Sequence, residues 1–282
     1  MFRIYSCLSW MFSAVLLATP LVAQGKVTPK VYPSKTAPRK AKKAVGDGTV
    51  VTNAASYLVG VSPGGLATVF GNNLTDVTGV VYANSNPFPL ELANVRVYVN
   101  GVGAPIFSIA YANGEDQISF QVPWETNTGL GAAEVAVYDY GTLVADVVTD
   151  SYVEDPGIFA FQQYGQNYAV ALHADDYSLV TFDNPAVRNE VLILYVTGLG
   201  PVNQFIPDGL GAPSNPHAYT SDPYSLDIGN ESATIYFSGL APGFVGLYQI
   251  NFAVPGDAPA GDLPVTIYSA YANSQTVSLS VK

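Results

Sequence analysis

The chain has 282 residues, of which 49% are hydrophobic, 12% aromatic and only 12% charged, so it holds enough apolar material for one large or two ordinary domains. Its net charge of −11 is segregated: seven of the eleven Lys and Arg lie between Lys26 and Lys43, while from Gly48 onward 21 acids face only Arg96, Arg188 and Lys282. Such an acidic body excludes nucleic acid as a partner, because phosphate repels it.

Residues 1–23 read as a signal peptide. Arg3 supplies the positive start, Leu8 to Val22 is the apolar stretch, and Leu21-Val22-Ala23 offers a cleavage site before Gln24. That stretch is short for a bilayer, so no stable membrane span is expected after cleavage, an uncleaved signal anchor being the alternative. The single cysteine, Cys7, falls inside this leader. Its position ahead of the apolar stretch argues against a lipoprotein, and a body without thiols excludes disulfide stapling and cysteine nucleophiles.

Residues 24–49 form a basic Pro/Lys-rich tail. Pro29, Pro33 and Pro38 recur with lysines between them, a composition that cannot bury a core and predicts an extended, disordered segment. It is either a solvated linker or an electrostatic tether to an anionic surface polymer or to the acidic body of another copy.

From Val50 the hydrophobic period is two. Val95, Val97 and Val99 face one way, as do Ile118, Phe120 and Val122, then Ile250, Phe252 and Val254, then Val277, Leu279 and Val281. Each run predicts a strand with one apolar face and one wet face. Asn100-Gly101, Asn113-Gly114, Gly229-Asn230 and Pro255-Gly256 mark turns between them. No stretch carries a convincing amphipathic helix.

The strand order repeats. Gln117 to Pro123 (QISFQVP) matches Gln249 to Pro255 (QINFAVP), and Glu134 to Tyr138 is the counterpart of Pro264 to Tyr268. Upstream, Ala67 to Gly71 pairs with Leu192 to Gly198. Two units of about seven short strands follow, residues 50–155 and 156–282, each the size of an immunoglobulin-like sandwich. The expected fold is therefore all-β: two tandem Ig-like β-sandwiches behind a signal peptide and a disordered tail. Ile158 and Phe159 are too apolar for a free linker and are expected to pack at the junction.

Several of these segments carry a family resemblance. Asn53-Ala54-Ala55-Ser56, Pro63-Gly64-Gly65, Phe120 to Trp124, Pro156 to Phe159, Thr197 to Pro201 and the run GLAPGFVGLYQINFAVP (Gly239 to Pro255) together resemble the uncharacterised C-terminal domain family of acidobacterial exported proteins, the Solibacter C-terminal domain. The resemblance covers nearly all of residues 51–282. It implies a TIG/IPT-like Ig fold outside the cytoplasm and no assigned activity.

Chemistry is sparse. His173 and His217 lack HExxH spacing or a partner histidine and read as surface-loop residues, and no G-x-S-x-G elbow occurs. A glycan hydrolase would need two carboxylates in one cleft, with Glu115, Asp116, Glu125, Glu134, Glu154 and Asp155 as candidates. Glu115-Asp116, Glu154-Asp155 and Asp175-Asp176 fall in expected loops and offer hard oxygens to a structural calcium, although no EF-hand loop is present. No other cofactor is implied.

Trp124 follows a strand-ending Val-Pro and is either a cap on the junction or a stacking platform for a sugar or peptide. Tyr98, Tyr138, Tyr140 and Tyr268 lie on the polar sides of their strands, giving a tyrosine-rich face suited to binding. The expected function is an exported, non-catalytic binding or adhesion module contacting polysaccharide or protein surfaces through Trp124, Tyr98, Tyr138 and Tyr140. A self-assembling structural subunit and a carboxylate-dependent glycan hydrolase are the alternatives.

Overall fold

The structure, a computed structural model, describes residues 48–126, 128 and 131–282. The signal peptide and nearly all of the basic tail lie outside the described residues. Within them the chain is all-β, and no helix is long and apolar enough to cross a membrane.

The first nine strands are β1 (Val50–Asn53), β2 (Leu66–Gly71), β3 (Val80–Tyr82), β4 (Val95–Val99), β5 (Val102–Ala104), β6 (Ile106–Ala112), β7 (Glu115–Gln121), β8 (Ala132–Asp139) and β9 (Thr142–Asp150). They make two sheets, ordered β1-β2-β7-β6-β3 and β5-β4-β8-β9. Period-two patterning decides what lies between them. Val69, Ile106, Ile109, Ile118 and Phe120 of one sheet meet Val95, Val97, Val99, Val135 and Val137 of the other in a single buried cluster.

The remaining strands are β10 (Gly157–Ile158), β11 (Ala160–Gln163), β12 (Gln166–Ala169), β13 (Ala171–His173), β14 (Val191–Thr197), β15 (Ser225–Ile228), β16 (Glu231–Ser232), β17 (Thr234–Leu240), β18 (Tyr248–Ala253), β19 (Gly261–Tyr268) and β20 (Val277–Val281). Their sheets run β10-β14-β18-β17, with β13 also on β14, and β11-β12-β20-β19-β15-β16. The order β1-β2-β7-β6 thus recurs as β10-β14-β18-β17, and β5-β4-β8-β9 recurs as β16-β15-β19-β20. The second unit has its own core, from Leu192, Leu194, Tyr248, Ile250 and Phe252 to Leu226, Val265, Ile267 and Leu279.

Turn chemistry closes the hairpins. Asn100 and Gly101 take φ of 49° and 78°, and Asn113 and Gly114 take 56° and 90°, the paired left-handed geometry of a two-residue hairpin. Tyr140-Gly141 and Tyr164-Gly165 make the same turn at φ of 48° and 73°, and 51° and 81°. Neither is expected from sequence, because tyrosine has no intrinsic preference for that region.

A third hydrophobic cluster joins the halves. Ala54, Ala55 and Leu66 from the first pack with Phe159, Ile193, Tyr195 and Leu247 from the second, while Ile158 is sealed in the second core. Ile193 and Tyr195 are the outward residues of β14, so this sheet buries both faces. Polar bonds flank the cluster. Leu66 N–H donates to Thr197 Oγ1 at 2.8 Å, and Gln275 Nε2 donates to Ala55 O at 3.3 Å and Ile158 O at 2.7 Å. Phe88 N–H donates to Gly209 O at 2.8 Å.

The wet face expected on β7 is a correction. Gln117, Ser119 and Gln121 are all buried. Gln121 Oε1 accepts Gly209 N–H at 2.6 Å from the second unit, so a loop of that unit covers the end of the strand that alternation alone assigns to solvent, while Ser119 pairs with Thr68 within its own sheet.

Candidate functional site

The outer face of β5-β4-β8-β9 carries a cleft built from side chains of several strands. Strands β4 and β8 are antiparallel, with Arg96 opposite Tyr138 and Tyr98 opposite Ala136. Tyr98 and Tyr138 are therefore diagonal neighbours on one face, close enough for their rings to touch. Their centroids are 5.6 Å apart at 83°, an edge-to-face pair. Ala136 and Gly101 project little or no side chain beside the rings. The result is a cleft of about 440 Å³ lined by Arg96, Tyr98, Gly101, Glu134, Ala136, Tyr138 and Gly141.

Charge surrounds the rings. Arg96 Nε donates to Glu91 Oε2 at 2.6 Å, with both side chains about half exposed. Glu134 stands in the cleft wall, and the exposed Asp146 lies opposite Ala136 on β9. Two aromatic rings, one guanidinium and the Glu134 carboxylate can together take up the apolar faces and hydroxyl edges of a polar ring ligand.

The second unit supplies an internal comparison. Its β15–β19 pair keeps the same register, with Ser225 opposite Tyr268 and Asp227 opposite Thr266. Ser225 stands where Arg96 does, Asp227 where Tyr98 does and Pro264 where Glu134 does. Only Tyr138 has its counterpart, Tyr268. The strand pair folds without the cleft residues, so the fold does not require Arg96, Tyr98 or Glu134.

The other expected contact residues fall elsewhere. Tyr140 occupies the β8–β9 turn, 56% exposed, and does not line the cleft. Trp124 is a correction to the platform reading. A Cβ on Gly64 would meet its indole ring at 2.1 Å, the ring packs against the second core, and its Nε1–H is buried. It caps the junction.

The acids separate likewise. Asp116 and Glu115 lie in strand β7 rather than a loop, and buried Asp116 Oδ2 accepts Leu74 N–H at 2.7 Å, a structural role. The two carboxyls that do meet are Glu125 and Asp208, the latter not singled out by sequence. Burial and then Glu125 push Asp208 up to about 6, against the pull of the Trp124 N–H it accepts at 3.1 Å. Glu125 is thus a close neighbour of Asp208, and both lie beside the Trp124 backbone rather than in the tyrosine cleft. Asp155 is also pushed up to about 6 by burial, opposed by its hydrogen bond from Asn53. Asp175 and Asp176 sit in a turn, and among the described residues no three His, Cys, Asp or Glu gather in metal-holding geometry.

His173 is a second correction. It is 8% exposed, in strand β13, and its Nδ1 meets Glu190 Oε1 at 2.5 Å. Glu190, 17 positions away, brings a hydrogen-bond partner that local sequence does not show. Arg96 is a cleft-lining residue that sequence reasoning misses, although its being one of three bases in the body is a usable signal.

No family model matches the chain, and no curated protein is significantly similar to it. Among solved structures it is similar to SGBP-B of the Bacteroides ovatus mixed-linkage glucan utilization locus (TM-score 0.32, 13% identity, 79% of this chain and 43% of that one). SGBP-B from a complex xyloglucan utilization locus in Bacteroides uniformis gives TM-score 0.26 and 12% identity over 78% of this chain and 46% of that one. The I9–I11 tandem of titin gives 0.21 and 12% over 83% and 65%. The chain spans less than half the length of the first two. Such scores carry no residue correspondence, and the site is argued from its own geometry.

Proposed function

We propose that this protein is a non-catalytic, extracytoplasmic binding module that holds a neutral polysaccharide across the Tyr98–Tyr138 cleft. The observation that carries this reading is the edge-to-face tyrosine pair in a cleft of about 440 Å³, whose Arg96, Tyr98 and Glu134 have no counterpart in the second unit. That volume lies within the roughly 300–1,000 Å³ of small-ligand sites. The half-buried rings of Tyr98 and Tyr138 can take the C–H faces of sugars at the cleft, and Arg96 and Glu134 offer a donor fork and an acceptor to hydroxyls. Glu91, Glu134 and Asp146 outnumber Arg96, and the body around them is strongly acidic, so a polyuronate is repelled and an uncharged chain is not.

The leader and the resemblance to exported acidobacterial domains support the extracytoplasmic setting. The hydrolase reading has less support, because Glu125 and Asp208 lie beside Trp124 rather than in the cleft, and Glu134 is the carboxylate that lines the cleft.

The test is electrophoretic retardation and calorimetry with neutral hexans, neutral pentosans and polyuronates. One or more neutral chains should bind, and Tyr98→Ala and Tyr138→Ala should each weaken binding about tenfold or more. Failure to retain any neutral chain, or variants that bind like the parent, overturns the proposal.

A further inference from the structure

Glu154 lies in the connection between β9 and β10 and is 0% exposed. Neither of its carboxyl oxygens has a hydrogen-bond partner of good geometry among the described residues. The second unit closes over it. Asp155 N–H donates to Gly198 O at 2.9 Å, and a Cβ on Gly200 would lie 2.7 Å from Val153 O and 2.9 Å from Glu154 Cγ. The Thr197–Pro201 loop is thus seated directly on this side chain.

Two phenols stand beside the carboxyl, and each donates in good geometry to a main-chain oxygen: Tyr224 Oη to Leu199 O and Tyr248 Oη to Gly200 O, each at 2.5 Å, with the Tyr224 hydroxyl also close to the Glu154 carboxyl. Burial first, then the nearby Glu154 carboxyl, pushes both phenols up from their ordinary range. The body's arginines have other partners, Arg96 with Glu91 and Arg188 Nε donating to Ala258 O, and Lys282 is exposed whereas Glu154 is fully buried. An isolated carboxylate in such a place costs several kcal/mol of desolvation unless a cation compensates it.

We propose that Glu154 holds a hard metal cation at the junction of the two sandwiches, with neutral main-chain and phenolic oxygens of the Leu199–Gly200 and Tyr224–Tyr248 cluster completing its surroundings. One carboxylate among neutral oxygens is a donor set for Ca²⁺, Na⁺ or K⁺ and offers nothing to a soft metal. The cation fixes the Thr197–Pro201 loop on the Val153–Asp155 segment and so couples the two sandwiches. This is independent of any glycan at Tyr98 and Tyr138.

The experiment uses the full chain, treated with chelator and dialysed into metal-free buffer at constant ionic strength. CaCl₂, MgCl₂, NaCl and KCl are then added separately, and thermal unfolding is followed. One of the Ca²⁺, Na⁺ or K⁺ arms should raise Tm by about 5 °C or more at saturation. Glu154→Gln, which keeps the shape and removes the charge, should lose that response. Elemental analysis of untreated protein should find close to one equivalent of the same cation. No response to any salt, the same response in Glu154→Gln, or untreated protein without a bound cation each overturns the proposal. Elemental analysis stands alone should the variant fail to fold.

Discussion

The backbone N–H of Leu66 in the first sandwich donates to the Thr197 hydroxyl of the second at 2.8 Å, and that hydroxyl donates onward to Gly246 O at 2.8 Å. Thr197 is 0% exposed. One oxygen therefore satisfies two buried main-chain groups, one from each half of the molecule. Thr197→Val keeps the shape and strands both. Each such group costs about 1–3 kcal/mol, so Tm should fall by about 5–10 °C. Thr197→Ser, which retains the hydroxyl, should lose much less. Scanning calorimetry of the three proteins checks this, and in the valine variant a split into two transitions would locate the damage at the junction.

Gly198 is the backbone counterpart of that contact. Its φ is +77°, and a Cβ there would lie 2.1 Å from Asp155 O, a main-chain atom that cannot move aside cheaply. Gly198→Ala should destabilise by about 3 kcal/mol or more, combining left-handed strain with a backbone clash. Gly79, at φ +87° with nothing within 4 Å of where a methyl group would stand, is the control. Gly79→Ala should cost about 1 kcal/mol, the strain alone. Urea unfolding of the two variants separates the effects.

What the sequence made legible follows from local physics. Alternation marked β4, β7, β18 and β20, and Asn-Gly pairs marked two hairpin turns, because both signals live within a few residues. The Tyr-Gly turns were hidden, since the strain at Tyr140 and Tyr164 is accepted only where strand pairing on both sides imposes it. Burial of Gln121 was hidden because its cover comes from Gly209, 88 positions away. The outward set of Tyr98 and Tyr138 was readable. Their adjacency was not, because it depends on the β4–β8 register. For Trp124, sequence left two roles open, and Gly64 beneath its ring decides between them.

Asp208 gives the molecule a pH dependence with a defined sign. Its folded pKa of about 6 lies above its ordinary value of 3.8, raised by burial first and Glu125 second. The folded state thus holds a proton that the unfolded state has released. By linkage, its contribution to stability falls as pH rises from about 4 to 6 and is level above that. Asp208→Asn keeps an acceptor for the Trp124 N–H and removes the titration. The parent should lose more stability than this variant between pH 4.5 and 6.5 in parallel thermal melts. Equal slopes for the two proteins would place the titration elsewhere.

Ala136 tests the cleft without touching the core. It lies opposite Tyr98 on the outer face, and its small side chain leaves the space beside Tyr98 and Tyr138 open. Ala136→Leu fills that space. Affinity for a neutral polysaccharide should drop about tenfold or more, equivalent to about 1.4 kcal/mol, while Tm stays within about 2 °C because the leucine replaces water rather than protein. Thr266→Leu, the same position in the second unit, should leave binding unchanged. Arg96→Ala sharpens the comparison: exposed ion pairs such as Arg96–Glu91 stabilise by roughly 0.2–1 kcal/mol, so a large loss of affinity without a loss of stability assigns Arg96 to the ligand. Binding isotherms and melts on the same three preparations decide whether the cleft residues serve a ligand or only the sheet.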